Sequence, residues 1–219
     1  MFDKGVQTKY IQSIPIQIPS IMMGMDMNME NLYEAIKNER YVLDAEDRLK
    51  ADLDKLKLST KDIFKALTGD FFIASGDLQI EAMIQGQNIQ PDFTLVAGIK
   101  NQNVLKQLLE EKAQDGDLQN QGNFYVTQDQ QTGSPLYLIP KKDAFYITMS
   151  ESLREQIIDG KKALDGKYSR LASDKGFVMY VNLKEIFRQV PPNLMELVPN
   201  GRVVRSEVIP KLDGLMLDI

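Results

Sequence analysis

A short acidic segment with a central glycine is the first place where this sequence could bind a metal ion. Asp115, Asp117 and Asn120 lie around Gly116, and a Ca²⁺ loop uses oxygen ligands at alternating positions around such a glycine. An EF-hand loop also ends in a bidentate glutamate, whereas the residues that follow here, 119–122, are neutral. We therefore interpret the segment as a solvated loop and assign no metal ligand to it.

Five methionines stand close together near the N-terminus: Met22, Met23, Met25, Met27 and Met29. Thioether sulfur is a ligand for Cu(I), and methionine-rich surfaces adapt to many partners. A second copy of this segment carries Val178, Met179, Val181 and Leu183 at equivalent or adjacent positions. We therefore interpret the methionines as core residues of a strand.

Two carboxylate pairs, Asp44 with Asp47 and Glu110 with Glu111, have the composition that acid–base hydrolysis of glycosides requires. Both pairs belong to highly charged segments, where solvent keeps carboxylates ionised. Histidine and cysteine are absent, which excludes a Ser-His-Asp triad, a thiolate nucleophile and a Cys or His metal site. We assign no catalytic, cofactor-binding or metal residue and expect a protein that is not an enzyme.

The charge of the chain argues against nucleic acid as a partner. Its 26 Lys and Arg residues are outnumbered by 31 Asp and Glu, which gives a net charge of −5, and no basic stripe with interleaved aromatic side chains is present. No apolar run reaches the ~18 residues of a transmembrane helix. The first residues also lack the basic and apolar regions of a signal peptide.

One segment occurs twice, since residues 23–36 align with residues 177–190 at a constant offset. Each copy has the pattern of a strand, an asparagine and an amphipathic helix. The asparagines, Asn28 and Asn182, are interpreted as N-caps, each contributing about 1 kcal/mol. The apolar positions of the two helices match one for one: Met29 with Leu183, Leu32 with Ile186, Tyr33 with Phe187 and Ile36 with Val190.

The repeat predicts how the chain is divided. We expect an extended N-terminal arm or edge strand over 1–20, a complete α+β unit over 21–175 and the start of a second, truncated copy over 176–219. Residues 10–20 alternate apolar and polar side chains, and their two prolines favour an arm or an edge strand. A strand at 215–217 is expected to occupy the place that the strand at 71–73 has in the first copy.

The remaining pattern predicts short strands and helices joined by turns. Further strands are expected at 78–84, 93–99, 124–127, 136–140 and 144–149, and further helices at 43–58, 60–67, 101–111 and 151–159. We interpret residues 161–175 as a polar connector and 190–212 as loops and turns. Because hairpins favour antiparallel neighbours, the predicted fold class is α+β. It has an antiparallel or mixed sheet with helices packed on one face, and a duplicated strand–helix unit whose second copy is incomplete.

Several segments, taken in order, resemble an uncharacterised family of Bacteroidetes cell-envelope proteins, typically predicted lipoproteins. They are residues 63–72 (IFKALTGDFF), 91–100 (PDFTLVAGIK), 136–140 (LYLIP), 143–147 (DAFYI) and 177–182 (FVMYVN). The resemblance covers roughly residues 20–219 and implies a location in the cell envelope, periplasmic or on the surface. Members of the family are usually longer and carry a lipoprotein signal, which this sequence lacks. The resemblance transfers no catalytic residue.

These observations favour a non-enzymatic extracytoplasmic binding or scaffold module with a protein, glycan or lipid ligand. The expected binding surface is formed by loops 85–91, 113–123 and 128–135, because function concentrates in loops on a rigid scaffold. One alternative is a membrane-acting protein that inserts into lipid or forms pores, through amphipathic residues such as 11–18. A carboxylate-based hydrolase is the other alternative. A homodimer through an exposed sheet edge is also expected.

Overall fold

Strands from both copies of the repeat belong to one sheet. The computed structural model describes residues 5–87, 92–128, 133–172, 175–197, 199–212 and 214–218. The strands are β1 (Ile21–Asp26), β2 (Leu67–Ser75), β3 (Phe93–Ile99), β4 (Gln119–Asn120), β5 (Tyr125–Gln128), β6 (Pro135–Pro140), β7 (Ala144–Thr148), β8 (Phe177–Val181) and β9 (Leu215–Asp218). They pair antiparallel throughout, in the order β4-β5-β6-β7-β3-β2-β1-β8-β9.

Helices connect most of these strands. They are α1 (Thr8–Ile11), α2 (Met29–Ile36), α3 (Arg40–Leu56), α4 (Thr60–Ala66), α5 (Ile80–Ile84), α6 (Gln102–Gln114), α7 (Glu151–Ile158), α8 (Gly166–Ala172), α9 (Leu183–Gln189), α10 (Pro192–Glu196) and α11 (Gly201–Val203). A π-helical turn (Val204–Val208) and a 3-10 turn (Ile209–Lys211) follow. The predicted α+β class with an antiparallel sheet is therefore confirmed.

One face of the sheet carries the main core. Met22, Phe72, Val96 and Val178 point to this face and are completely buried. The N-terminal segment with α1, together with α7 and α8, covers them. A second group consists of α2, α3, α4 and α6: α2 and α6 both contact α4, and α3 contacts α6.

The two copies of the repeat have the predicted secondary structure, since β1 leads through Asn28 into α2 and β8 leads through Asn182 into α9. The strands β1 and β8 are antiparallel neighbours, with Met23 opposite Met179. Strand β9 lies beside β8 as β2 lies beside β1, as predicted. Because β1 and β8 run in opposite directions, α2 and α9 begin at opposite ends of these strands.

Among the described residues 5–20, the N-terminal segment is a partly helical arm without a strand, so the edge-strand alternative for residues 10–20 is wrong. Residues 8–11 form the short helix α1, and the described chain then runs without a strand as far as β1. Ile11 and Ile14 are both fully buried, because they are spaced as on one side of a helical turn. Here the helical spacing of the isoleucines prevails over the period-two alternation.

Three further segments are helical where we predicted otherwise. The strand predicted at 78–84 contains α5, whose apolar residues have the i, i+3, i+4 spacing of a helix. The connector 161–175 contains α8, which buries Tyr168 and Ala172 one helical turn apart. The segment 190–212 is largely helical, because prolines in it occupy first-turn positions, where a helix tolerates them.

Candidate functional site

Three carboxylates meet where α3 packs against α6. Oxygens of Asp52, Glu111 and Asp115 all lie within 4.8 Å of one another, and Asp52 and Glu111 are each only 6% exposed. Two lysines lie against them. The Lys112 Nζ atom is 2.7 Å from an Asp52 oxygen, and Lys55 forms an ion pair with Glu111. The ammonium groups already supply positive charge that a metal ion would bring, so the cluster is an ion-pair network that joins two helices.

The electrostatics of this cluster differ from those of an acid–base site. The hydrogen bond from Lys112 lowers the pKa of Asp52, and the hydrogen bond to Glu111 raises the pKa of Lys55. A general acid that works near neutral pH needs a carboxyl group whose pKa is raised. The opposite shift at Asp52 keeps it ionised, so the cluster gives no support to a carboxylate-based hydrolase.

The carboxylate pairs suggested by the sequence have separate partners. Asp44 lies 4.0 Å from Arg40 one turn earlier on α3. Glu110 pairs with Lys106 at 3.6 Å, whereas Glu111 belongs to the buried network between α3 and α6. Neighbouring positions on a helix point in different directions, which is why Glu110 and Glu111 do not act on a common point.

The residues of the acidic loop are also divided among different partners. Asp117 pairs with Lys112 at 3.0 Å. Asn120 accepts a hydrogen bond of 2.8 Å from the backbone of Gly122, which closes a local turn. Asp115 lies with the carboxylates of the α3–α6 network. The three side chains do not converge as the ligands of a Ca²⁺ loop would, and their interpretation as a polar loop agrees with this arrangement.

Both repeated asparagines are helix caps. Asn28 accepts a hydrogen bond of 3.0 Å from the backbone N–H of Asn31, and Asn182 accepts one of 3.1 Å from that of Glu185. Asn182 also donates to the hydroxyl of Tyr168, 3.0 Å away. Asn182 is therefore buried and holds α8 against α9, whereas Asn28 is exposed.

The predicted binding loops are only partly within the described residues. Residues 88–91 of loop 85–91 and residues 129–132 of loop 128–135 lie outside them. The described parts of loops 113–123 and 128–135 share a shallow cleft of about 580 Å³, which Gly116, Asp117 and Pro135 help to line. Asp117 is the charged side chain of this lining, and it already pairs with Lys112.

The face of the sheet opposite the main core carries an unbroken row of apolar side chains across seven strands. Each member lies directly opposite the next in the strand pairing. We call these residues the apolar row: Leu217, Met179, Met23, Ile73, Leu95, Ile147 and Leu138. With strands about 4.8 Å apart, the row is roughly 28 Å long. None of its members carries a polar group.

Burial distinguishes the two faces of these strands. The strand neighbours of the row members point to the core face. They include Tyr180, Met22, Ala74 and Thr94, which are all at most 6% exposed. On the other face Met179 is 38% exposed, and the row members of the inner strands are partly exposed. In the second group of helices, α2 and α4 contact β2. The apolar row is therefore a surface that the described part of the chain leaves incompletely covered.

Neighbouring positions widen this apolar surface. A parallel row on the same face consists of Phe177, Met25, Phe71, the buried Ala97 and Phe145, paired strand by strand. The three phenylalanines and Met25 are partly exposed. At the sheet edge, Leu215 and Leu217 of β9 are 63% and 58% exposed.

The methionines are therefore divided between the two sides of the sheet. Met22 and Met29 are buried, as predicted for core residues. Met23 and Met25 lie on the apolar face and are only partly buried, and Met27, just after β1, is also only partly buried. The interpretation of the whole group as core is therefore wrong for these three. Successive residues of a strand point to opposite faces, and an uninterrupted methionine-rich run gives no sign of which face is covered.

Known proteins give little guidance. No family of known proteins and no curated protein sequence matches this chain. Two solved structures of TP0453 are similar to it at 10% sequence identity. For crystal form III the TM-score is 0.42, and the match covers 95% of this chain and 74% of the TP0453 chain. For crystal form IV the TM-score is 0.39, and the match covers 84% of this chain and 65% of the TP0453 chain. In the part of the chain that the structure describes, no helix is long and apolar enough to cross a membrane.

Proposed function

We propose that the chain is a non-enzymatic binding module of a bacterial cell-envelope protein, and that its apolar row contacts an apolar surface of a protein partner. The observation that supports this function most strongly is the partly exposed apolar row itself. The envelope location rests on the resemblance of residues 63–72, 91–100 and 177–182, among others, to Bacteroidetes envelope proteins.

The size and composition of the apolar surface favour a binding role. Contiguous apolar patches on monomeric proteins rarely exceed a few hundred Å², and larger patches mark interaction sites. The row is about 28 Å long and crosses strands of about five residues, or about 17 Å, so it lies on a sheet area of roughly 480 Å². This area is within the range of the largest apolar patch of a monomeric protein, which is often a functional surface. Burying such a surface removes apolar area from water, which is the main favourable contribution to association.

The chemistry of the row selects the class of partner. A glycan requires hydrogen-bonding groups, and the apolar row offers none. A flat sheet face is normally covered by helices or by a second sheet, so the complementary surface is an amphipathic helix or sheet of a protein. Met23, Met25 and Met179 suit this role, because flexible, polarisable methionines adapt to a partner's shape.

Binding of the neutral dye Nile red tests whether the row is accessible to an apolar ligand. We expect the wild-type protein to enhance Nile red fluorescence and Met179→Glu to lose most of the enhancement, because a carboxylate in an apolar contact is costly. Met83→Glu is the matched control, since Met83 is 54% exposed on α5, away from the sheet. Equal binding by both variants, or no enhancement by the wild type, would contradict the proposed function.

The membrane-acting alternative gives a different result in a separate assay. The proposed module is expected to leave dye-loaded liposomes intact, because its sheet binds one protein surface and the chain carries a net charge of −5. Dye release that Met179→Glu abolishes would assign the apolar row to lipid and would overturn the protein-partner proposal.

A further inference from the structure

A second surface lies on the face of β8 opposite to Met179, and several positively charged side chains line it. A cleft of about 370 Å³ opens there beside Tyr180. Its charged lining consists of Lys167, Lys184, Arg188 and Lys211 with one carboxylate, Glu185. We call it the basic cleft.

The four cations come from three separate elements. Lys167 lies at the start of α8, and Lys211 ends the 3-10 turn before β9. Lys184 and Arg188 are four residues apart on α9 and so share one face of that helix. The fold thus brings together residues that are distant in sequence, and it does so in a chain whose net charge is −5.

Three of these cations have no acidic partner among the described residues. The guanidinium of Arg188 lies 2.7 Å from Glu185. By contrast, no described carboxylate lies within ion-pair distance of Lys167, Lys184 or Lys211. The lining residues therefore carry about three more positive than negative charges at neutral pH, which favours an anionic ligand.

A buried hydroxyl adds a hydrogen-bond donor to the wall of the cleft. The backbone N–H of Glu185 donates to the side-chain oxygen of Asn182, which fixes the amide so that its nitrogen faces Tyr168. The Tyr168 oxygen consequently accepts a hydrogen bond, and its own hydrogen has no acceptor among the hydrogen bonds of the described residues. Burial raises the pKa of Tyr168, so this hydrogen is retained at neutral pH.

We propose that the basic cleft binds a phosphate-bearing ligand. A phosphomonoester carries about −1.5 to −2 charges at pH 7 and three acceptor oxygens, which match the excess charge of the lysines and the Tyr168 hydroxyl better than a single carboxylate does. Lysine binds phosphate as a compact point charge with three donors. The cleft is larger than one phosphate group and falls among small-molecule sites, about 300–1,000 Å³, so the ligand is an organic phosphate ester.

The phosphate group has two possible sources, a free small molecule or a lipid headgroup, and two probes distinguish them. Glycerol 3-phosphate represents the free ester in isothermal titration calorimetry. Phosphatidylcholine vesicles with and without phosphatidic acid represent the headgroup in a sedimentation assay. Calorimetric binding with no sedimentation assigns a free ligand, whereas sedimentation that requires phosphatidic acid assigns a headgroup. The proposal is overturned if neither probe binds.

A double variant tests whether the lysines of the cleft hold the phosphate. Lys184→Ala with Lys211→Ala is expected to weaken binding roughly tenfold or more, because two charge-assisted contacts are lost. Lys50→Ala with Lys100→Ala is the matched control, since it changes the net charge equally at exposed positions outside the cleft. Equal weakening by the two pairs, or wild-type binding by the cleft variant, would overturn the proposal.

Tyr168→Phe separates the hydroxyl donor from the charges. This variant keeps every lysine and is expected to weaken phosphate binding several-fold through the loss of one hydrogen bond. Its thermal midpoint is measured alongside, so that binding is compared at a temperature where both proteins are folded. Unchanged affinity would remove Tyr168 from the site.

Because the cleft and the apolar row lie on opposite faces of β8, the Nile red result is independent of this test.

Discussion

The side-chain amide of Asn182 donates hydrogen bonds to the Tyr168 hydroxyl, 3.0 Å away, and to the Pro19 carbonyl, 3.2 Å away, while its oxygen caps α9. The equivalent residue of the first copy, Asn28, is exposed, and its side chain accepts the capping hydrogen bond from Asn31. One repeated residue therefore has a local role in both copies and a tertiary role in the second.

The two asparagines give a matched pair of substitutions. Asn28→Ala should lower the free energy of unfolding by about 1 kcal/mol, the value of one cap. Asn182→Ala should lower it by about 2–4 kcal/mol, because it also leaves buried groups at Tyr168 and Pro19 without partners. Urea unfolding of both variants measures the difference, and equal losses would show that the contacts between α8 and α9 contribute nothing.

Asp70 fixes the N-terminal arm to the sheet. It is 2% exposed and accepts hydrogen bonds from the backbone and side chain of Gln7, at 2.8 and 2.9 Å, and from Thr68, at 2.7 Å. We expect Asp70→Ala to destabilise the fold by about 2–4 kcal/mol and to expose the arm to trypsin after Lys9. Gln7→Ala should speed cleavage at the same bond with a smaller loss of stability. Unchanged trypsin cleavage in both variants would contradict this role.

Glu34 makes the stability depend on pH in the acid range. Hydrogen bonds from Lys37 and Lys61 lower its pKa from 4.5 to about 2. A carboxyl group with a lowered folded-state pKa stabilises the fold above its unfolded pKa, and this contribution is lost as the pH falls from about 4.5 towards 2. Glu34→Gln should therefore flatten the dependence of the thermal midpoint on pH in this window.

The control for this titration is Glu39→Gln, at an exposed carboxyl group with no ion pair to the described residues. It should leave the acid-range slope of the thermal midpoint close to that of the wild type. A slope unchanged by Glu34→Gln would show that the contacts with Lys37 and Lys61 do not persist in solution.

Gly98 is a point of close approach between the arm and β3. A Cβ atom added there would lie 2.1 Å from the Thr68 hydroxyl oxygen and 2.8 Å from Tyr10. Gly98→Ala should thus destabilise the protein by about 1–3 kcal/mol through overpacking. A Cβ atom added at Gly166 would lie 3.7 Å from the end of the Arg170 side chain, so Gly166→Ala should cost little. Thermal unfolding compares the two, and equal midpoints would contradict the packing of the arm.

The local parts of the fold could be predicted from the sequence. Asn28 and Asn182 each cap the helix that they precede, as predicted, because capping depends on residues within one turn. The pairing of β9 with β8 followed from the repeat. The helix α5 was missed, since short apolar runs fit either a strand or a helix.

The candidate surfaces could not be predicted, because each depends on distant parts of the chain. Met22 and Met23 are equally apolar, and only the packing of α1, α7 and α8 on one face decides which of them is covered. Lys167 and Lys211 meet in the basic cleft through the packing of α8 and the 3-10 turn near β8. No local spacing indicates either arrangement.

Methyl NMR of the methionines measures the accessibility of the apolar row directly. Met22, Met29 and Met195 are buried, whereas Met23 and Met179 belong to the row. With a neutral, soluble nitroxide as the relaxation agent, we predict strong broadening of the Met23 and Met179 methyl signals and little broadening of the buried three. Exposed Met83 calibrates the full effect. Protection of Met23 and Met179 equal to that of Met22, in a protein shown to be monomeric, would contradict the account.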